Sequence, residues 1–105
     1  MPVLRREDFQ KIYLTAKKTH LSINFFFKNL RYILCINGMV CAKNKNFEIV
    51  PWQKAFGSKM PHEILTTFEL EKVEVKLKGS KYEHEKEKIF NNIEEFIKWV
   101  QTLHN

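Results

Sequence analysis

From Leu21 to Lys28 the residues alternate: Leu21, Ile23, Phe25 and Phe27 take one side, Ser22, Asn24, Phe26 and Lys28 the other. A period of two marks a β-strand, because successive side chains point to opposite faces of a sheet. One face of this strand is wholly apolar; Phe26 makes the other mixed. A turn is expected at Asn29-Leu30. Tyr32-Ile33-Leu34-Cys35-Ile36 then runs apolar without a break, the pattern of a strand covered on both faces. Asn37-Gly38 follows, a pair that favours a two-residue type I′ hairpin turn, since both positions need φ > 0. Met39 to Ala42 is the returning strand. In that register Ile36 faces Met39, Cys35 faces Val40 and Leu34 faces Cys41, so Cys35 and Cys41 point to opposite faces. A disulfide between them would require a three-residue loop that sets them directly opposite.

This central hairpin is flanked by helical patterns. Phe9, Ile12, Tyr13 and Ala16 form one helical stripe, with Glu7 and Asp8 early and Lys17 and Lys18 late, as the helix dipole favours. The spacing predicts a helix over residues 6–18. Lys43-Asn44-Lys45-Asn46 reads as a polar turn and Phe47 to Val50 as a short strand. Pro51 to Gly57 reads as one or two helical turns, opened by Pro and closed by Gly. Residues 62–68 are ambiguous between helix and strand. From Leu70 the period of two returns, with Val73, Val75 and Leu77 against Lys72, Glu74 and Lys76. A turn at Gly79-Ser80 would pair Lys76 with Glu83 and Lys72 with Glu87, giving a hairpin through about residue 89. A helix over 92–103 closes the chain, with Ile93, Phe96, Ile97, Val100 and Leu103 as its buried stripe. The expected fold is a single α+β domain: an N-terminal helix, an antiparallel sheet of four to six strands with an Asn-Gly hairpin, and a C-terminal amphipathic helix. A length of 105 residues suits one core.

Several function classes find no support in the residues. The apolar stretch from Leu21 to Ala42 is interrupted by Lys28 and Arg31, which argues against a membrane span. Met1 to Leu4 runs directly into Arg5-Arg6-Glu7-Asp8, unlike a secretory leader. The two cysteines sit among apolar neighbours and read as reduced, buried thiols of a cytoplasmic protein. His20, His62, His84 and His104 are too scattered for a metal-ligand motif, and no metal or other cofactor is expected. No phosphate-cradling glycine loop and no Gly-x-Ser-x-Gly elbow occurs. The expectation is a non-enzymatic protein.

Charge is the positive clue. The formal net charge is +6, but residues 1–62 carry +8 and residues 63–105 carry −2. A concentrated basic surface attracts polyanions, nucleic acid above all. Lysine outnumbers arginine fifteen to three, a usage also expected of an AT-rich genome. Within the basic part, cations interleave with aromatic rings, a combination that holds phosphates while rings stack on bases. The candidate nucleic-acid contacts are Lys28, Arg31, Lys43, Lys45, Trp52 and Lys54. Phe26 and Tyr32 are candidate partner-interface residues, because Phe26 stands off the apolar face of its strand. The leading expectation is a nucleic-acid-binding protein, DNA or RNA, or a component of a nucleic-acid-handling complex. The alternative is a protein-interaction module, an adaptor or inhibitor of the kind carried by phages and plasmids. It would use an apolar sheet face, as a homodimer or with another protein.

Overall fold

The computed structural model describes residues 4–77 and 86–104. The chain begins with helix α1 (Arg6–Lys18), whose first turn is fixed by the Arg5 N–H donating to Asp8 Oδ2 at 2.9 Å. Strands β1 (Leu21–Phe27), β2 (Ile33–Ile36), β3 (Val40–Lys43) and β4 (Ile49–Val50) follow. Two short helices, α2 (Trp52–Phe56) and α3 (Pro61–Thr67), lead to β5 (Leu70–Leu77) and β6 (Lys86–Phe90). Helix α4 (Ile93–Gln101) runs into a 3₁₀ turn, Thr102–His104. The ambiguous stretch after Pro61 is therefore helical, started by Pro at its first position, where the missing N–H costs nothing. Asn92 caps α4, its Oδ1 accepting from the Glu95 N–H at 2.8 Å. Among the described residues, no helix is long and apolar enough to cross a membrane.

All six strands form one antiparallel sheet in the order β4-β3-β2-β1-β5-β6. β1, the strand with the strongest alternation, lies inside the sheet between β2 and β5. The order also turns the charge division of the sequence into a division in space. The basic part supplies β1 to β4, one side of the sheet, and the rest supplies β5 and β6.

The two faces of the sheet differ. Leu21, Ile23, Phe25 and Phe27 of β1, Leu34 and Ile36 of β2, Ala42 of β3, and Val73 and Val75 of β5 share one core. Phe9, Ile12 and Ala16 of α1, Phe56 of α2, Ile64 and Leu65 of α3, and Phe96 and Val100 of α4 close over it. Phe25 and Phe96 meet edge to face with ring centroids 5.4 Å apart. Burial of this size dominates the stability, at roughly 1.5–3 kcal/mol for each large side chain. The opposite face carries Ser22, Asn24 and Phe26 of β1, Ile33 and Cys35 of β2, Cys41 and Lys43 of β3, and Lys72, Glu74 and Lys76 of β5. None of these residues belongs to the helix-packed core, and among the described residues no helix closes over this second, open face. Neighbouring side chains nevertheless cover its centre, and Ile33 and Cys35 are fully buried. Asn24 Oδ1 is also buried there, with no hydrogen-bond partner among the described residues.

Two expectations about register are corrected. β2 and β3 do form a hairpin, but Ile36 pairs with Val40, Cys35 with Cys41 and Leu34 with Ala42. The loop is thus Asn37-Gly38-Met39, three residues rather than the two-residue Asn-Gly turn. Gly38 alone takes the positive φ (+75°), and the Asn37 N–H donates to the Met39 carbonyl at 2.9 Å. The extra residue shifts the return strand by one place, so Cys35 and Cys41 share the open face instead of facing apart. Both are free thiols. In the second hairpin, Lys76 pairs with Glu87 and Glu74 with Ile89, not with the residues that a turn at Gly79-Ser80 would bring. That turn itself lies outside the described residues.

Candidate nucleic-acid interface

β1 and β3 run toward one end of the sheet, and β2 and β4 start from it. The β1–β2 and β3–β4 connections therefore meet at that end, and α2 packs beside them against β3. A cleft of about 320 Å³ opens there, lined by Arg31, Tyr32, Asn44, Lys45, Asn46, Val50 and Lys54. Three cations from three separate segments converge on it; among the described residues no carboxylate is in the lining, and the nearby Glu48 carboxylate accepts from the Asn44 side-chain amide at 3.1 Å. Among the described residues, Arg31, Lys43, Lys45 and Lys54 take part in no ion pair within 4.0 Å. Tyr32 is half-buried against the core and forms part of the wall.

Lys45 connects this cleft to the open face. Its Nζ lies 5.5 Å from the centroid of Phe26, and Lys72 Nζ approaches the same ring at 4.9 Å. Cations at such distances are attracted by the ring's electron-rich face. Phe47 stands against Phe26 at 6.2 Å with the planes inclined by 77°. Under these three neighbours Phe26 is only 7% exposed, whereas Phe47 is 51% exposed. Lys43 pairs with Ile33 of β2 and Ile49 of β4, and so stands on the open face beside this group.

The sequence places Phe47 in a strand; the structure places it in the loop. The Asn44 side chain organises that loop, its Oδ1 accepting from the Asn46 N–H at 2.9 Å and the Glu48 N–H at 3.0 Å. The Asn44 N–H donates to the Glu48 carbonyl at 2.9 Å, and the Phe47 N–H donates to the Asn44 carbonyl at 3.0 Å. Phe47 itself has φ +62°. This is a turn followed by a left-handed residue, a standard three-residue hairpin loop whose left-handed position is normally Gly or Asn.

The remaining candidates fall elsewhere. Lys28 at the end of β1 is tied to Glu69 at 3.3 Å. Trp52 donates its Nε1–H to the Lys59 carbonyl at 3.0 Å and packs on Phe56 at 5.1 Å. It lines a different hollow, of about 430 Å³, with Val40, Gln53 and the segment from Gly57 to Pro61. Arg31, Tyr32, Lys45 and Lys54 are thus brought together, Lys43 and Phe26 adjoin them on the open face, and Lys28 and Trp52 are engaged in other contacts. Sequence reasoning missed Phe47 and Lys72. The only signal for Phe47 was an aromatic residue directly after a polar Asn-rich turn. Among the described residues, no three His, Cys, Asp or Glu side chains gather as a metal-ligand group. No protein-family model, no curated protein and no solved structure matches this chain.

Proposed function

We propose that the protein is a non-enzymatic nucleic-acid-binding protein that grips phosphates at the basic end of its sheet. The observation that carries this reading is the cleft where Arg31, Lys45 and Lys54 converge with no acidic side chain in the lining among the described residues. Such a cluster repels itself and is relieved by a polyanion. Lys43 extends the positive strip onto the open face. Arg31 suits phosphate best, because its planar donors can bind two oxygens at once.

The test is binding of a labelled oligonucleotide across a salt titration. Affinity is expected to fall linearly on a log–log plot, with a slope of roughly −0.7 to −0.9 per phosphate contacted. Reversing Arg31, Lys45 and Lys54 to Glu should abolish binding, while Lys59→Glu, in the other hollow, should leave most of it. Absence of binding at low salt would overturn the reading. A second reading, a protein-interaction module or homodimer, draws on Ile49 and Ile89, which are 72% and 56% exposed at opposite margins of the open face.

A further inference from the structure

The loop that holds Phe47 presents an aromatic ring beside the basic end. A left-handed backbone is costly for a bulky residue, and Gly or Asn would meet the geometry at no such cost. Yet the chain sets a phenylalanine there and leaves half of it in solvent. The ring has cations beside it: Lys45 is two residues back in the same loop, and Lys45 and Lys72, the latter paired with Glu74 at 3.0 Å, lie over the Phe26 ring on which Phe47 leans. The basic cleft begins on the other side of Lys45. A ring can stack only on a base that has left its own stack. A duplex keeps its bases paired inside and offers phosphates and groove edges, whereas a single strand offers both phosphates and free base faces.

We propose that this end of the molecule binds single-stranded nucleic acid, with phosphates held by Arg31, Lys43, Lys45 and Lys54 and an unstacked base lying on Phe47. The proposal rests on the nucleic-acid reading and narrows it to one class of strand. The strand would pass from the cleft over the β3–β4 loop onto the basic half of the open face. Of the acidic residues nearby, Glu87 lies on the far strand β6, Glu74 of β5 is neutralised by Lys72 at 3.0 Å, and Glu48 in the loop accepts from the Asn44 side-chain amide at 3.1 Å. Stacking tolerates any base, so little sequence preference is expected.

The experiment compares the full chain and two variants, Phe47→Gly and Phe47→Trp, on oligo(dT), oligo(rU) and a blunt duplex of equal length at low salt. The wild type should bind the single strands more tightly than the duplex. Phe47→Gly, which suits the left-handed backbone, should keep its fold by circular dichroism. It should lose about ten-fold or more in single-strand affinity and little on the duplex. Phe47→Trp should retain binding, and its added fluorescence should be quenched by the single strands. Equal affinity for single strand and duplex, or indifference to Phe47→Gly, would overturn this proposal while leaving phosphate binding intact. Binding to none of the three probes would overturn the nucleic-acid reading itself.

Discussion

Cys35 shows how one position in the sheet sets a side chain's chemistry. It is fully buried at the centre of the open face, directly across from Cys41. Burial, with Cys41 adding to it, pushes the Cys35 thiol up from 9.0 to about 11. A neutral thiol is a poor nucleophile, so near pH 8 iodoacetamide should label the half-buried Cys41 first. Cys35 should react only on unfolding, and mass spectrometry of partly labelled protein would read the order. Equal labelling of both in the folded protein would contradict the buried placement. Stability follows the same shift. The unfolded chain loses this proton near pH 9.0 and the folded chain only near 11, so the folded state binds more protons between them. The contribution is therefore complete below about pH 9 and lost as pH rises toward 11. Urea unfolding of the wild type and Cys35→Ala should show their stability difference narrowing across that window.

Among the elements, α4 was the most legible. Its apolar stripe has a helical period that marks residues 92–103, and the structure starts the helix one residue later, with Asn92 as the cap that accepts from the Glu95 N–H. Asn92→Ala should cost about 1 kcal/mol in thermal or urea unfolding, the usual loss of an N-cap side chain. Asn92→Asp should cost much less, since a carboxylate also accepts the Glu95 N–H. The hairpin loops were less legible. Asn37-Gly38 correctly marked a reversal, but a reversal does not state how many residues close it. The extra Met39 in the loop reset the pairing and carried Cys41 to the same face as Cys35. Phe47 was misplaced for a related reason. Its own propensity favours a strand, and the three hydrogen bonds that Asn44 Oδ1 and the Asn44 carbonyl accept from its loop outweigh it.

On the scale of the molecule, the layers decide which surface is available. Among the described residues, all the helices pack on one face of the sheet and none on the other. The continuous apolar run of β2 suggested a second covering layer. Within the single chain, Ile33 and Cys35 are already buried by neighbours on their own face. Light scattering at high protein concentration should therefore give the monomer mass of about 12.7 kDa. A dimer that Ile49→Lys dissolves would instead favour the protein-interaction reading. The edge strand β6, with Lys86, Glu87 and Lys88 in sequence, is charged as edges that resist such pairing commonly are.

The sequence by itself determined the α+β class, the extents of the first helix and the first strand, and the basic character of residues 1–62. Periodicity and composition are local properties, and burial of apolar stripes enforces them wherever the segment is placed. Only the tertiary structure decided the registers and the meeting of Arg31, Lys45 and Lys54. It also decided that Trp52 and Lys28 have other partners and that Phe47 is an exposed ring. These depend on loop lengths and strand order, which bring together residues far apart in the chain. A pattern read along one segment contains no term for that.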